Sequence, residues 1–377
     1  MSGGAAQLRL PIREVEVFGV AVPLAAGGFR NAYTVKTMQR SVVVRVRAED
    51  GSVGLGNIDP SPGYSVETVE QSLAAIRQHL GPAVLGWDAG NVHRLLQRMD
   101  ERLAGYLDAK AAIEMACVDL LARRLGIPVH QYLGGAVVDT LRFNAWVGIV
   151  PPAEAAAEAA KWQARGFSSA KIKVGGGIHA DIERLRAVRE AVGADMALRV
   201  DANAGYSVEQ AIELGRGLEP LGLELFEQPV AADDLGGLAA VRKACAIPIM
   251  ADESITDHAS LIRVIRADCA DIVKLKVMKQ GGFTRCRRML ETAAAAGLRV
   301  VIGHGFGLGI NTVAEIMLAS TSSAVMPGLE CVGPLKTTAD IVTRRIDLGS
   351  GELPLPQGPG LGVELDEDSL QRHRFDA

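Results

Sequence analysis

A chain of 377 residues, 48% hydrophobic and 22% charged, has the length for two domains and the apolar content for a large core. A formal net charge of −4 argues against nucleic acid or a membrane surface as partner, and no apolar run reaches the roughly 18 residues of a spanning helix. The five cysteines (Cys117, Cys245, Cys269, Cys286, Cys331) lack paired spacing, which excludes a disulfide frame or zinc cluster; with no signal-peptide pattern at the start, a cytoplasmic protein is expected.

Residues 12–23 alternate as a strand, 41–47 alternate again, and Glu49-Asp50-Gly51 supplies a turn before 52–56, a hairpin signature. Residues 25–40 between the first two strands are too long for a tight turn and read as a lid or binding loop. Helical patterns follow over 66–80, 92–102 and 109–125, the last ended by Gly126-Ile127-Pro128. Strands followed by helices without alternation predict an α+β domain over residues 1–135.

From residue 136 the pattern changes to strand, helix, strand. Strands are expected at 141–147, 169–174, 196–201, 223–227, 247–252, 271–276, 299–302 and 324–330, with amphipathic segments such as 178–192 and 207–218 between them. This is the pattern of a parallel (β/α)7β barrel, a modified TIM barrel of class α/β, over residues 136–340. The polar, Pro/Gly-rich segment 341–377 has no further βα unit and is expected to pack back on the first domain. Exposed barrel helices rich in Ala and Leu permit assembly, and a homo-oligomer is expected.

Five clusters fall at the carboxyl ends of successive strands, where barrel enzymes place their chemistry. They are Lys171-Ile172-Lys173, Asp201-Ala202-Asn203, Glu227-Gln228-Pro229, Asp252-Glu253-Ser254 and Lys274-Leu275-Lys276. Asp201, Glu227 and Asp252 are hard oxygen ligands suited to Mg²⁺ or Mn²⁺. The bland alternative is that each acid caps the helix after it. Lys171 and Lys173 share a strand face, and two buried lysines beside a cation should lower each other's pKa and yield a neutral base. Lys276 lies four strands on from Lys173, diametrically across an eight-stranded barrel. Two amines facing each other across a metal suit removal of the proton α to a carboxylate, followed by reprotonation or loss of a group.

These motifs closely resemble the enolase superfamily and, within it, the muconate lactonising enzyme subgroup. Its members carry Lys-x-Lys, Asp-x-Asn, Glu-Gln-Pro, Asp-Glu-Ser and a lysine on strands two to six. Ala109 to Asp119 is similar to the family's capping-domain helix. The resemblance implies that Asp201, Glu227 and Asp252 bind Mg²⁺, that Lys173 and Lys276 are the acid/base pair with Lys171 auxiliary, and that the 25–40 loop closes over a small carboxylate substrate. Asn203, Thr37, Lys274 and His304 are expected to contact substrate. Thr37-Met38-Gln39, Glu330-Cys331-Val332-Gly333-Pro334-Leu335 and Pro359-Gly360-Leu361-Gly362 look like muconate cycloisomerases, in which a protonated Glu330 would hydrogen-bond the enolate. His304-Gly305-Phe306-Gly307-Leu308-Gly309 departs from them, and Leu329-Glu330-Cys331 lacks the Asp-x-Asp of the dipeptide epimerases. A cycloisomerase of unsaturated dicarboxylates is the first expectation. A racemase or epimerase of an N-substituted or cyclic amino acid is the second, a hydroxy-acid dehydratase the third, and a non-catalytic metal-binding barrel the reading from another class.

Overall fold

The computed structural model describes residues 9–25, 29–30, 35–61 and 65–376. Much of the 25–40 loop (26–28 and 31–34) therefore lies outside the described residues.

In the N-terminal domain Ile12–Pro23 pairs antiparallel with Met38–Ala48, which pairs with Val53–Ile58. The helix Leu107–Leu125 lies on this sheet and is buried over most of its length. Gly54 and Gly56 make that close approach feasible: a Cβ on either would come within 2.0 Å and 1.9 Å of the carbonyl oxygens of Ala116 and Ala112. Asp119, fully buried, ties the layers together by accepting from the backbone N–H of Leu55 (2.9 Å) and of Leu361 (2.7 Å). The end of the chain runs along the same sheet, where Phe375 N–H donates to Gly19 O (3.0 Å).

The second domain is a curled sheet of seven parallel strands in sequence order. They are Ala145–Val147, Ser169–Lys173, Ala197–Asp201, Leu225–Glu227, Ile249–Ala251, Ile272–Leu275 and Arg299–Ile302. Helices cover the outside, and several begin with a side-chain cap, such as Ser207 bonding Gln210 N–H in a capping box. Two expected strands come out differently. Of 141–147, only the second half joins the barrel; Thr140–Arg142 pairs antiparallel with Glu352–Pro354 instead. The expected strand 324–330 bridges to both neighbours but is broken by Pro327, which has no N–H for a ladder, and by Gly328 at φ +82°. It still closes the ring. Asn144 N–H donates to Leu329 O (2.8 Å) on one side, and Glu330 N–H donates to Ile302 O (2.9 Å) on the other.

Inside the ring the residues change character along each strand. Leu225, Met250, Ile272, Val301 and Met326 form an apolar floor. One step further along the same inward faces stand Glu227, Asp252 and Lys274, since alternate strand positions share a face. The floor seals the charged layer from water below.

Candidate active site

Register aligns the layer: Lys171 lies opposite Arg199, Lys173 opposite Asp201, and Glu227 opposite Asp201 on its other side. Asp201, Glu227 and Asp252 are fully buried. Lysines stand in the gaps between them. Lys171 Nζ donates to Glu227 Oε2 (2.9 Å) and lies 3.0 Å from Asp201 Oδ2. Lys274 Nζ donates to Glu227 Oε1 (2.8 Å) and lies 3.8 Å from Asp252 Oδ2. Both ammonium groups also contact Glu330. Lys173 donates to Asp201 Oδ2 and Asn203 Oδ1, each at 2.6 Å. Across the ring Lys276 donates to both oxygens of Asp252 at 2.6 and 2.7 Å.

The turns after the strands aim these groups. Asn203 and Gln228 sit in the left-handed region at φ 45° and 33°, conformations that functional sites hold at a cost. Gln228 Oε1 accepts from Asp252 N–H (3.0 Å) and Ser254 N–H (3.2 Å), fixing the end of the fifth strand. Lys279 Nζ donates to the Asp252 carbonyl (3.1 Å).

The electrostatics follow from this packing. Burial pushes the Asp201 carboxyl up, but Lys173 and Lys171 outweigh it and bring it to about 2. Burial and the Asp201 charge raise Glu227 to about 8. Burial would lower Lys171, yet Glu227, Glu330 and Asp201 hold it well above the ordinary lysine value. Acids rather than a second amine dominate the surroundings of this lysine, opposite in sign to the fall expected beside a cation. Glu330, despite burial, is held well below the usual carboxylate range by Lys171, Lys274 and Arg199. The ammonium groups of Lys171 and Lys274 thus favour its charged form, whereas the role expected from the sequence needs it protonated.

Lys171, Lys173, Lys274, Lys276, Glu330 and His304 line one pocket at the mouth of the barrel. Both nitrogens of His304 are engaged, Nδ1 with Glu315 Oε2 (3.0 Å) and Nε2 with Asn311 Nδ2 (3.0 Å) and Asp59 Oδ2 (3.3 Å). The ring links the barrel to Asp59 of the capping domain. Thr37 is exposed and its carbonyl accepts from Leu24 N–H (2.9 Å); it is absent from the pocket wall. Sequence reasoning missed Lys336, Trp146, Phe306 and Arg199. Arg199 had a signal, since it precedes Asp201 by two on an inward face. Lys336 closes the Gly333-Pro334-Leu335 run, with no periodicity to direct it.

The three acids fit a hard divalent ion in chemistry: three buried carboxylates on adjacent strands, with cationic groups already between them. As placed, the lysines keep the acids apart, and among the described residues no three acidic, His or Cys side chains converge on one point.

A capped parallel barrel with buried acids at three adjacent strand ends and lysines on both flanks defines a class of enzyme that works at its strand ends. Comparison with known proteins makes it specific. The chain belongs to the mandelate racemase and muconate lactonizing enzyme family of the enolase superfamily: its N-terminal domain profile matches residues 12–134 and the enolase C-terminal domain-like profile matches residues 154–369. The N-succinyl-L-Arg/Lys racemase of Bacillus cereus is 31% identical over 363 residues, covering 96% of this chain and 97% of the racemase. The muconate lactonizing enzyme of Pseudomonas fluorescens, solved with muconolactone, superimposes with a TM-score of 0.93 at 30% identity, covering 98% of this chain and 100% of that one. A dipeptide epimerase of Enterococcus faecalis, solved with Mg and L-Leu-L-Tyr, gives 0.90 at 31% identity, covering 94% and 99%. The chain is thus an enzyme whose close relatives are isomerases: racemases, epimerases and cycloisomerases. No helix among the described residues is long and apolar enough to cross a membrane.

Proposed function

We propose that this enzyme works through the enolate of a carboxylate, as a cycloisomerase of unsaturated dicarboxylic acids or their lactones: addition of one carboxylate to the double bond gives the enolate, which a lysine protonates at the α carbon, and in reverse a lysine removes the lactone's α proton as the ring C–O bond breaks. The observation that carries the reading is the pair Lys173 and Lys276. They line one pocket from opposite sides of the barrel, and each is oriented by a different strand-end acid, Asp201 and Asp252. Asp201, Glu227 and Asp252 would hold Mg²⁺, which when bound supplies positive charge to the substrate carboxylate and to the charge that develops on it. Lys173, steadied by Asn203, would move the proton on one face of the α carbon and Lys276 on the other. Lys171 and Lys274 would add fixed positive charge at the same carboxylate, with Glu330 holding both in place. The apolar floor keeps water from quenching the enolate from below.

A racemase or epimerase of an N-acylated amino acid is the second reading, favoured by similarity to the Bacillus cereus N-succinyl-L-Arg/Lys racemase and by the presence of a lysine on each side of the pocket. Proton NMR in D₂O with Mg²⁺ separates the two. Conversion of cis,cis-muconate to a lactone supports the first, and deuterium at the α carbon of N-succinyl amino acids without net conversion supports the second. No exchange from any carboxylic acid, with Mg²⁺ bound, would overturn both.

A further inference from the structure

The two opposed lysines are held by different means. Lys173 closes the second strand inside its ladder: its register partner is Asp201, and the next residue, Val174, donates its N–H to Asp201 O (3.0 Å). Lys276 stands one residue past the sixth strand, Ile272–Leu275, whose pairing with the seventh ends at Leu275 and Ile302. A buried backbone group beyond its ladder needs another partner, because leaving it unpaired is costly. Lys276 and Gln280 are both fully buried, and Gln280 meets that need. Its side-chain Oε1 accepts from Lys276 N–H (2.6 Å), and its own N–H, with that of Lys279, donates to Lys276 O (3.2 and 3.0 Å). The other end of the amide, Nε2, donates to Ile255 O (3.1 Å) in the turn after the fifth strand. These partners fix which way the amide points, since an N–H calls for its oxygen and a carbonyl for its nitrogen. The turn is itself fastened to Asp252, whose carbonyl accepts from Ile255 N–H (2.9 Å) and Lys279 Nζ (3.1 Å). One buried amide thus ties the backbone of Lys276 to the turn that presents Asp252, the acid that the Lys276 ammonium meets at 2.6 and 2.7 Å.

We propose that Gln280 is a positioning residue for Lys276: its amide sets the place and direction of that amine and leaves Lys173, which its own ladder holds, untouched. The assignment deepens the enolate reading and rests on it for the role of Lys276 in moving a proton. A side chain that acts through one lysine has a signature that general loosening of the barrel lacks, because the two faces of the α carbon are served by different lysines. Misplacing a reacting group by about 1 Å can cost about 10²-fold in rate. Loss of the Gln280 amide should therefore slow one face and spare the other.

The test is proton NMR in D₂O with the Mg²⁺-loaded enzyme, on muconolactone, whose α CH₂ presents one hydrogen to each face, and on each enantiomer of N-succinylphenylalanine. Lys276→Ala first identifies the face that Lys276 serves. Gln280→Met, which keeps the bulk and loses both polar contacts, should slow exchange on that face about 30–100-fold and on the other less than about threefold, with KM within about threefold of the parent. Gln280→Asn, too short to span Lys276 and Ile255, should do the same and takes its place if the methionine variant does not fold. Equal losses on both faces would leave Gln280 a structural role alone and overturn the proposal, as would unchanged exchange in a folded variant. Crystal structures of the Mg²⁺-loaded parent and variant are read separately: Lys276 Nζ should shift by about 1 Å or more while Lys173 Nζ keeps its place. A Lys276 amine that does not move would overturn the positioning role. A parent that exchanges neither face, or whose exchange survives Lys276→Ala on both, would sink the enolate role of Lys276; a displaced Lys276 in the variant would then leave the hold of Gln280 on it standing.

Discussion

Lys173 and Lys276 differ in their partners, and the difference assigns their loss distinct signatures. Lys173 is shared between Asp201 and Asn203, whereas Lys276 faces both oxygens of Asp252. Replacing either by alanine should lower turnover about 10²–10⁴-fold, the usual worth of a positioned acid or base. Deuterium exchange measured from each enantiomer of a racemised substrate should fail on one face only per variant; exchange from both enantiomers in either variant would rule out two opposed bases. His304 makes a second prediction. Burial lowers its pKa, but Glu315 and Asp59 outweigh that and raise it to about 9. A histidine whose folded value exceeds its unfolded value of about 6.5 contributes stability that is full below that pH and lost as pH rises through 9. Denaturant unfolding should show about 2–3 kcal/mol less stability at pH 9.5 than at pH 6, with the slope largely gone in His304→Gln. An unchanged slope would place the charge elsewhere. At this scale the sequence was readable where strand alternation governs. Lys171, Lys173, Asp201 and Glu227 fall on one inward face by spacing alone. It was silent on who neutralises whom, because the lysine–acid pairings cross between strands far apart in the chain. Lys336 was out of reach for another reason: a four-residue helix, too short to show a period, delivers it.

Elements succeeded or failed as units according to whether a local signal marked them. Each of strands two to six ends in a charged cluster after an apolar run, and each is present. The strand after Ala324 carries the same apolar character, but Pro327 and Gly328 interrupt its ladder, and Arg199 takes over the lost pairing. Its guanidinium donates to Gly328 O (2.7 Å) and Pro327 O (2.6 Å) from inside the ring. That compensation is tertiary, so no window of sequence contains it. The capping sheet shows the converse, where a small residue reports a distant neighbour. Gly56→Ala would set a methyl 1.9 Å from the Ala112 carbonyl, so strand and helix Leu107–Leu125 would have to part. Overpacking of this kind costs about 1–3 kcal/mol. A melting curve should fall by several degrees, and a parent-like Tm would mean that the sheet yields without cost. The barrel depends on the same helix: Glu114 accepts from the N–H groups of Phe283 and Thr284, both at 2.8 Å, at the start of a barrel helix. Loosening the cap should therefore weaken the barrel as well.

For the molecule as a whole, the lysines act as internal counter-ions. Each acid of the proposed ion site has an ammonium partner, and folding is expected not to require the metal. Chelation should abolish turnover and leave the circular dichroism spectrum intact. Adding Mg²⁺ should raise Tm by a few degrees, since a ligand at about 100 times its Kd stabilises by about 2.7 kcal/mol. Asp252→Asn should remove most of that rise; an undiminished rise would take Asp252 out of the site. Unfolding on chelation would instead show that the lysine pairs cannot stand in for the ion. The capping domain has a further property that its hydrogen bonds imply. It is assembled from segments on either side of the barrel in the chain: Asp119 waits for Leu361, and Gly19 for Phe375. On a ribosome the sheet and helices of the cap would emerge first yet stay unfinished until residues that follow the barrel arrive. The capping domain would then be the last piece locked, after the lysines and acids of the barrel have found their partners.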